Sequence, residues 1–339
     1  MANFGIIGCG RMGKNHAKSI STGTDGKIVA VYDPKPEAAA FMHETYGAEV
    51  MQNAEGVAAH PKVDCVIVTS PTYCHLEGVK AAVKAHKHIF CEKPVDRTWE
   101  AALETERLVK DYDKLFTIGF VRRYLPKTRR LKALLDEGFL GRIRFCNVDL
   151  PLGAFKRLYG DWFADFDKSG GVCIDMLAHH VDLCNWFFGT PDRVYADGML
   201  LDQTQELPSD HVASVVTYEN GVICNLMCNW QRFGRSGEVM EIYGEKGALS
   251  MDSSNDLTYY PLGGEKQVIS LEEIQHSLGE QNVNVASGYL LEMQELNAAL
   301  DGKTALPKPS IQDGMNSLRV GLKMIDSIRS RQVVFWQES

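Results

Sequence analysis

The chain has 339 residues, 45% of them hydrophobic and 24% charged, with a net charge of −8; this is the profile of a soluble globular protein with length for two ordinary domains. The acidic balance excludes nucleic acid and anionic membrane as partners, since both select basic surface. No apolar run approaches the roughly 20 residues of a membrane span. Met1 leads straight into the strand-like NFGIIG, without the basic start and long apolar core of a signal peptide, so a cytoplasmic location is expected. The nine cysteines are scattered, odd in number, mostly inside apolar runs and never spaced CxxC, which predicts reduced thiols used as small hydrophobes and no zinc site.

In chain order, the first strand is Phe4–Ile7, and the glycines Gly8-x-Gly10-x-x-Gly13 follow it and open a helix. A second strand, Ile28–Tyr32, ends in Asp33, twenty residues beyond Gly13. Strand, glycines, helix, strand and acidic residue form the context in which such glycines bind a dinucleotide. The first glycine permits the tight turn, the second lets the backbone approach a pyrophosphate, and the third permits close helix–strand packing. The helix start at Arg11 and Met12 presents N–H groups and a partial positive charge to phosphates. Asp33 would accept from ribose hydroxyls and repel a 2′-phosphate, so NAD is expected over NADP; Lys35 softens that preference.

Strands Cys65–Thr69, His88–Cys91 and Phe116–Ile118 continue the pattern, separated by helical stretches such as Pro36–Tyr46, His75–Ala85 and Thr98–Tyr112. Short apolar strands alternating with helices call for a parallel sheet covered by helices. Glu92, Lys93 and Pro94 lie just past the carboxyl end of a strand, the edge at which such sheets bind ligands. A Lys-Pro bond can be cis, which would fix the lysine's direction.

After about Arg122 the rhythm changes. A helix (Lys127–Glu137) precedes a strand (Arg142–Leu150), then an aromatic-rich loop holding Tyr159 and Trp162, then GGVCIDMLAHHVDLCNW from Gly170 to Trp186. Asp175, His179 and Asp182 fall at i, i+4 and i+7 and so share one face of a continuous α-helix. Such a face is a solvated stripe, a metal site or a proton-transfer site. Met176, Leu177, Val181, Leu183, Trp186 and Phe187 cover much of the remaining surface, so the polar face is expected to line a cleft, with His180 pointing elsewhere as a packing residue. Alternating strands from Arg193 to Tyr260, turning at Glu219–Gly221 and Glu245–Gly247, predict an antiparallel meander. Helices return at Ala286–Leu300 and Gln312–Arg329.

The combination of GxGxxG, the Glu92-Lys93-Pro94 triplet and GGxxxDxxxHxxD resembles the Gfo/Idh/MocA family of NAD(P)-dependent sugar and polyol oxidoreductases. GFVRRY (Gly119–Tyr124) and YGEKGAL (Tyr243–Leu249) extend the resemblance over most of the chain. FCEKP and GFVRRYLP look closest to inositol 2-dehydrogenases, whereas GDWFADFDKSGG looks more like relatives acting on hexoses or glycosides. The resemblance implies an α/β fold: an N-terminal Rossmann domain with a parallel sheet over residues 1–121, and a C-terminal α+β domain with a large, mostly antiparallel open sheet over 122–339. It implies catalytic roles for Lys93, Asp175 and His179, and a further acidic position at Asp182. Cofactor contacts are implied at Gly8, Gly10, Arg11, Met12, Gly13, Asp33, Ser70, Pro71, His75, Glu92 and Lys93; Thr72 stands where the family more often has Asn.

Oxidising a secondary alcohol needs a base for the hydroxyl proton and a donor for the oxygen. His179, with an ordinary pKa of roughly 6.5, suits the first task. Asp175 would support the imidazolium or bind a neighbouring hydroxyl, and Lys93 would donate to the reacting oxygen. Substrate contacts are expected from Lys93, Arg122, Tyr159, Trp162, Asp175 and His179, with Arg123 a surface or interdomain charge and Asn229 and Trp230 facing the same pocket. The expected partners are a small polyol or sugar and further copies of the chain, as a dimer or tetramer; no metal is needed. Two alternatives stay open: a glycoside-processing enzyme that retains NAD through transient oxidation, and a non-catalytic NAD- or sugar-binding regulator. The regulator would have lost the lysine, aspartate or histidine, and all three are present.

Overall fold

The short apolar runs become strands because they are buried on both faces. β1 (Asn3–Ile7), β2 (Lys27–Tyr32), β3 (Glu49–Val50), β4 (Cys65–Val68), β5 (His88–Glu92) and β6 (Phe116–Gly119) form a parallel sheet in the order β3-β2-β1-β4-β5-β6. The crossovers are α1 (Arg11–Gly23), α2 (Pro36–Tyr46), α3 (Ala54–Ala59), α4 (His75–Lys84) and α5 (Trp99–Val109). The order reverses between β1 and β4, the switch point at which a doubly wound sheet opens to ligands. The computed structural model describes residues 1–151, 162–163, 165–199, 210–230, 237–279, 287–304 and 308–337; Tyr159 lies outside them.

Beyond Val121 come α6 (Pro126–Asp136), β7 (Ile143–Pro151), α7 (Phe166–Ser169) and α8 (Ala178–Phe188). They are followed by β8 (Pro191–Met199), β9 (His211–Tyr218), β10 (Ile223–Asn229), β11 (Val239–Gly244), β12 (Gly247–Met251), β13 (Leu257–Pro261), β14 (Gln267–Ile269) and α9 (Leu271–Ser277). The chain closes with α10 (Gly288–Leu300), α11 (Ile311–Ser330) and β15 (Val334–Phe335). Nine strands make one sheet, ordered β14-β13-β12-β11-β7-β10-β9-β8-β15. The expected simple meander is therefore interrupted: β7 inserts between β10 and β11, parallel to the first and antiparallel to the second. One face alternates buried positions (Val212, Ser214, Val216 in β9), and the other exposes apolar side chains including Tyr195, Val215, Ile223 and Tyr243.

The compact units are not contiguous in sequence. The first is Met1–Val121 with Ala286–Leu318, and the second is Arg122–Val285 with Arg319–Ser339. A single cut after residue 121 leaves out the return of α10, which supplies Met293 and Leu296 to the first unit's core of Phe4, Ile6, Ile20, Met42, Ile67 and Phe90. Apolar side chains of the Val, Leu, Ile, Phe class each contribute about 1.5–3 kcal/mol when fully buried, so α10 is integral to that unit.

Candidate active site

The glycine loop is built from contacts rather than from flexibility alone. Gly8 has φ +98°, and a Cβ there would come 2.5 Å from the Ser70 backbone nitrogen, so the ends of β1 and β4 meet. A Cβ on Gly13 would come 2.1 Å from the Gly8 carbonyl oxygen, so α1 packs directly on the turn. A Cβ on Gly10 would meet nothing within 4 Å. Gly10 caps α1 with no side-chain hydrogen bond and no acidic residue follows in the first turn; the N–H groups of exposed Arg11 and half-buried Met12 begin that helix. An open position over a helix N-terminus, flanked by two closed ones, fits a pyrophosphate. Asp33 is partly committed to the loop: Oδ2 accepts from the Cys9 N–H at 2.7 Å and Oδ1 from the Lys35 N–H at 2.8 Å. A carboxylate has about four acceptor sites, which leaves capacity for ribose hydroxyls.

The loops after β4 and β5 are tied together by His75. Its Nδ1 lies 2.9 Å from the Pro94 carbonyl oxygen and its Nε2 3.0 Å from that of Ser70. Burial pushes His75 down in pKa, opposed by Asp96, Glu92 and the two carbonyls. At 1% exposure His75 shapes the loops holding Ser70 and Pro71 rather than presenting a face of its own. The Lys93–Pro94 bond is cis. Glu92 is buried and hydrogen-bonds inward to His16 at 2.7 Å, while Lys93 is half-buried.

In the second unit the expected continuous helix does not form. Val172–Met176 is a π turn, closed by Leu177 N–H on the Val172 carbonyl at 2.9 Å, and α8 starts only at Ala178. The wider turn places Asp175 on the π segment and His179 in the first turn of α8. Gly171, at φ 62° and ψ −159°, enters the turn through a conformation essentially reserved for glycine. Gly321 of α11 lets that helix approach, since a Cβ there would lie 2.7 Å from the Cys173 carbonyl oxygen. Asp175 is buried and His179 half-buried.

Asp182 is committed to an ion pair. It is 1% exposed and takes a bidentate pair from Arg123, at 2.8 Å and 2.5 Å, so Arg123 is an internal counterion of the second unit and not a surface charge. His180 is buried as expected, with Nε2 3.3 Å from Glu238, which also binds Arg122. Burial alone would raise the Glu238 carboxyl, but the His180 hydrogen bond and the Arg122 charge hold it at about 2. Burial pushes His180 down, so a neutral ring donating from Nε2 to the carboxylate fits both groups. Arg122 thus has a partner that its sequence position did not announce; the remaining guanidinium donors are left for other ligands.

Trp162 is half-buried and stacks on Phe163 at 3.9 Å between ring centroids. Asn229 pairs across strands with His211 at 2.9 Å, and Trp230 is buried. Cys146, Cys184 and Cys224 bring their sulfurs within 4.8 Å of one another in the second unit's core; Cys146 and Cys224 are ladder neighbours on β7 and β10. That cluster, His16 and Glu238 are the groups the sequence reading missed. Only His16 left a signal, recurring three residues after Gly13 on the buried face of α1.

Comparison with known proteins agrees with this geometry. Residues 2–120 match the family "Oxidoreductase family, NAD-binding Rossmann fold", and residues 128–250 match the "GFO/IDH/MocA C-terminal domain". The chain is 26% identical to an inositol 2-dehydrogenase of Rhizobium meliloti, over 98% of each chain. It is 29% identical to the myo-inositol 2-dehydrogenase of Thermotoga maritima, over 75% of this chain and 76% of the other. Among solved structures, a levoglucosan dehydrogenase in complex with NADH superposes with a TM-score of 0.88 at 20% identity, over all of both chains. The WlbA dehydrogenase of Bordetella pertussis, in complex with NADH and UDP-GlcNAcA, gives 0.85 at 19% identity, over 100% of this chain and 98% of the other. With an NAD-binding Rossmann unit carrying the glycine loop and a C-terminal domain matched by its own family model, this chain belongs to the Gfo/Idh/MocA family of oxidoreductases.

Proposed function

We propose that the chain is an NAD-dependent dehydrogenase that oxidises a secondary hydroxyl of a cyclic polyol or sugar, with an inositol as first choice. The observation that carries the reading is the end-to-end similarity to an inositol 2-dehydrogenase, over 98% of both chains, in a sequence that keeps Lys93, Asp175 and His179. NAD, when bound, supplies the hydride acceptor. His179 takes the hydroxyl proton; Asp175, on the π turn just before α8, steadies the resulting imidazolium or holds a neighbouring hydroxyl. Lys93 donates a hydrogen bond to the reacting oxygen. Arg122 and Trp162 contact the substrate, and Tyr159 keeps that role as a proposal from sequence. Purified protein incubated with NAD and a panel of inositols, hexoses and glycosides should accumulate NADH with an inositol. If His179→Ala turned over normally at saturating NAD and substrate, the base assignment would be wrong.

A second reading is favoured by one relative, the 2,7-anhydro-N-acetylneuraminate hydratase of Escherichia coli, 25% identical over 81% of this chain. On this second reading our chain retains NAD, and no NADH accumulates during turnover of a glycoside. We also propose a homo-oligomer, supported by the exposed Tyr195, Val215, Ile223 and Tyr243 on one sheet face; light scattering of the purified protein tests it. Nine free thiols support a cytoplasmic location. No helix among the described residues is long and apolar enough to cross a membrane.

A further inference from the structure

We infer that His16 is a positioning residue for Lys93, acting through a buried carboxylate bridge at Glu92. Glu92 ends β5, and its two oxygens serve different partners. Oε1 lies 2.7 Å from His16 Nε2, and Oε2 accepts the Lys93 backbone N–H at 3.0 Å. The bridge is buried, with His16 at 0% and Glu92 at 5% exposure. Burial alone would raise the Glu92 carboxyl, but the His16 hydrogen bond and charge, with Lys93, hold it below the ordinary value. It is therefore ionised and can accept at both oxygens.

The surroundings fix each member of the bridge. His16 is held edge-on by Phe90 and Tyr289, with ring centroids at 5.0 Å and 5.7 Å. Gly119, opposite Glu92 in the β5–β6 ladder, makes room, since a Cβ there would come 3.1 Å from Oε2. A second carboxyl, Glu292 on α10, is 1% exposed. Burial, then the charge on Glu92, push its pKa well up, so of the two carboxyls Glu292 is the one driven toward its protonated form. His16 belongs to α1, the helix that starts at the glycine loop. One side-chain bridge thus registers the backbone of Lys93 on the element that binds the dinucleotide.

The kinetic part of this inference rests on the role proposed for Lys93; the structural part does not. The test is amide hydrogen exchange of the peptide containing Lys93, measured on full-length protein beside steady-state kinetics. His16→Phe removes the donor and is expected to speed exchange at the Lys93 amide about 10- to 100-fold, as loss of a hydrogen bond to a charged group implies. It is also expected to lower kcat at least about tenfold while leaving the Kd for NAD within about threefold. His16→Gln, whose amide nitrogen can reach Glu92 from the same side, should retain protection and most of kcat. Because His16→Phe leaves a buried carboxylate without its donor and can fail to fold, the double variant His16→Phe/Glu92→Met is the decisive one. It should recover the wild-type melting temperature yet keep fast Lys93 exchange and low kcat. Wild-type exchange at Lys93 in the double variant, or recovery of kcat together with stability, would overturn the inference. If wild-type protein made no NADH from any polyol, the proposed function would fail while the exchange result still decided the bridge.

Discussion

The three loop glycines have different neighbours, and alanine at each should separate folding from cofactor binding. Gly10→Ala places a methyl where nothing lies within 4 Å. Its cost is the poorer N-cap, about 0.5–1 kcal/mol, offset by about 0.4–1 kcal/mol from the less mobile unfolded chain. Apo stability should stay within about 0.5 kcal/mol of wild type, or about 2 °C in Tm. Gly13→Ala drives a methyl to 2.1 Å from the Gly8 carbonyl oxygen. Overpacking of that kind costs about 1–3 kcal/mol or more; the 2.1 Å approach to backbone puts it at the upper end, about 2–3 kcal/mol, and alanine's helix preference returns only about 1 kcal/mol, so the apo Tm should fall by roughly 2–8 °C. Gly8→Ala combines φ +98° with a 2.5 Å approach to Ser70 and should be the least stable of the three. The assay is thermal unfolding with and without NAD. At about 100 times Kd, NAD stabilises wild type by about 2.7 kcal/mol, whereas Gly10→Ala should unfold at the same temperature with or without it. A wild-type NAD shift in Gly10→Ala would refute the placement of the pyrophosphate over Gly10, and an unaltered apo Tm in Gly13→Ala would refute the packing argument.

Three further outcomes follow from the second unit and the thiols. Glu238 titrates at about 2 instead of 4.5, so the unfolded chain takes up its proton first as pH falls. Its contribution, about 3 kcal/mol, is fully present above about pH 5 and is lost on the way to about pH 2. Glu238→Gln should therefore be destabilised near neutrality by a margin that closes in acid, as urea midpoints against pH will show; a constant margin contradicts the assignment. Asp182→Ala removes the buried partner of half-buried Arg123 and should cost about 3–5 kcal/mol, while Asp182→Ala/Arg123→Met should recover most of it, which denaturant titration of both variants can check. Eight of the nine cysteines are buried and only Cys74 is partly exposed; a native thiol titration should count about one fast thiol, and several fast thiols would refute the burial.

Much of the fold was legible because local patterns decide it. Apolar runs too short for helices, punctuated by glycine and proline, gave the strands of the first sheet and the position of Lys93 at a strand end. What local pattern does not carry is which strand pairs with which across long separations. β7 and β10 lie about eighty residues apart in sequence, and nothing in either run reveals that one inserts beside the other. The expected continuous helix fails for a related reason. Its reading assumed 3.6 residues per turn, and the π turn over Val172–Met176 breaks that assumption. Gly170 and Gly171 were the visible hint, since two successive glycines with positive φ mark an irregular entry, but not its kind. Asp182 could be told from Asp175 only by its counterion, Arg123, fifty-nine residues earlier.

The Glu92-Lys93-Pro94 triplet shows why some site residues come as a contiguous motif while others scatter. Along an extended backbone successive side chains point to opposite sides, so a carboxylate that must hold the next residue's N–H from the core can stand only immediately before the amine it presents. Glu92 faces His16, Lys93 is half-buried, and the Pro94 carbonyl is taken up by His75. Each member is useless to the next without adjacency. His16 answers to a different constraint: it need only reach Glu92 from a helix, so its position is set by helical phase, three residues after Gly13 and on the same buried face. The glycine loop and the triplet, read separately in the sequence, are therefore two ends of one hydrogen-bonded connection, and a change at His16 should be felt at Lys93 more strongly than at the pyrophosphate.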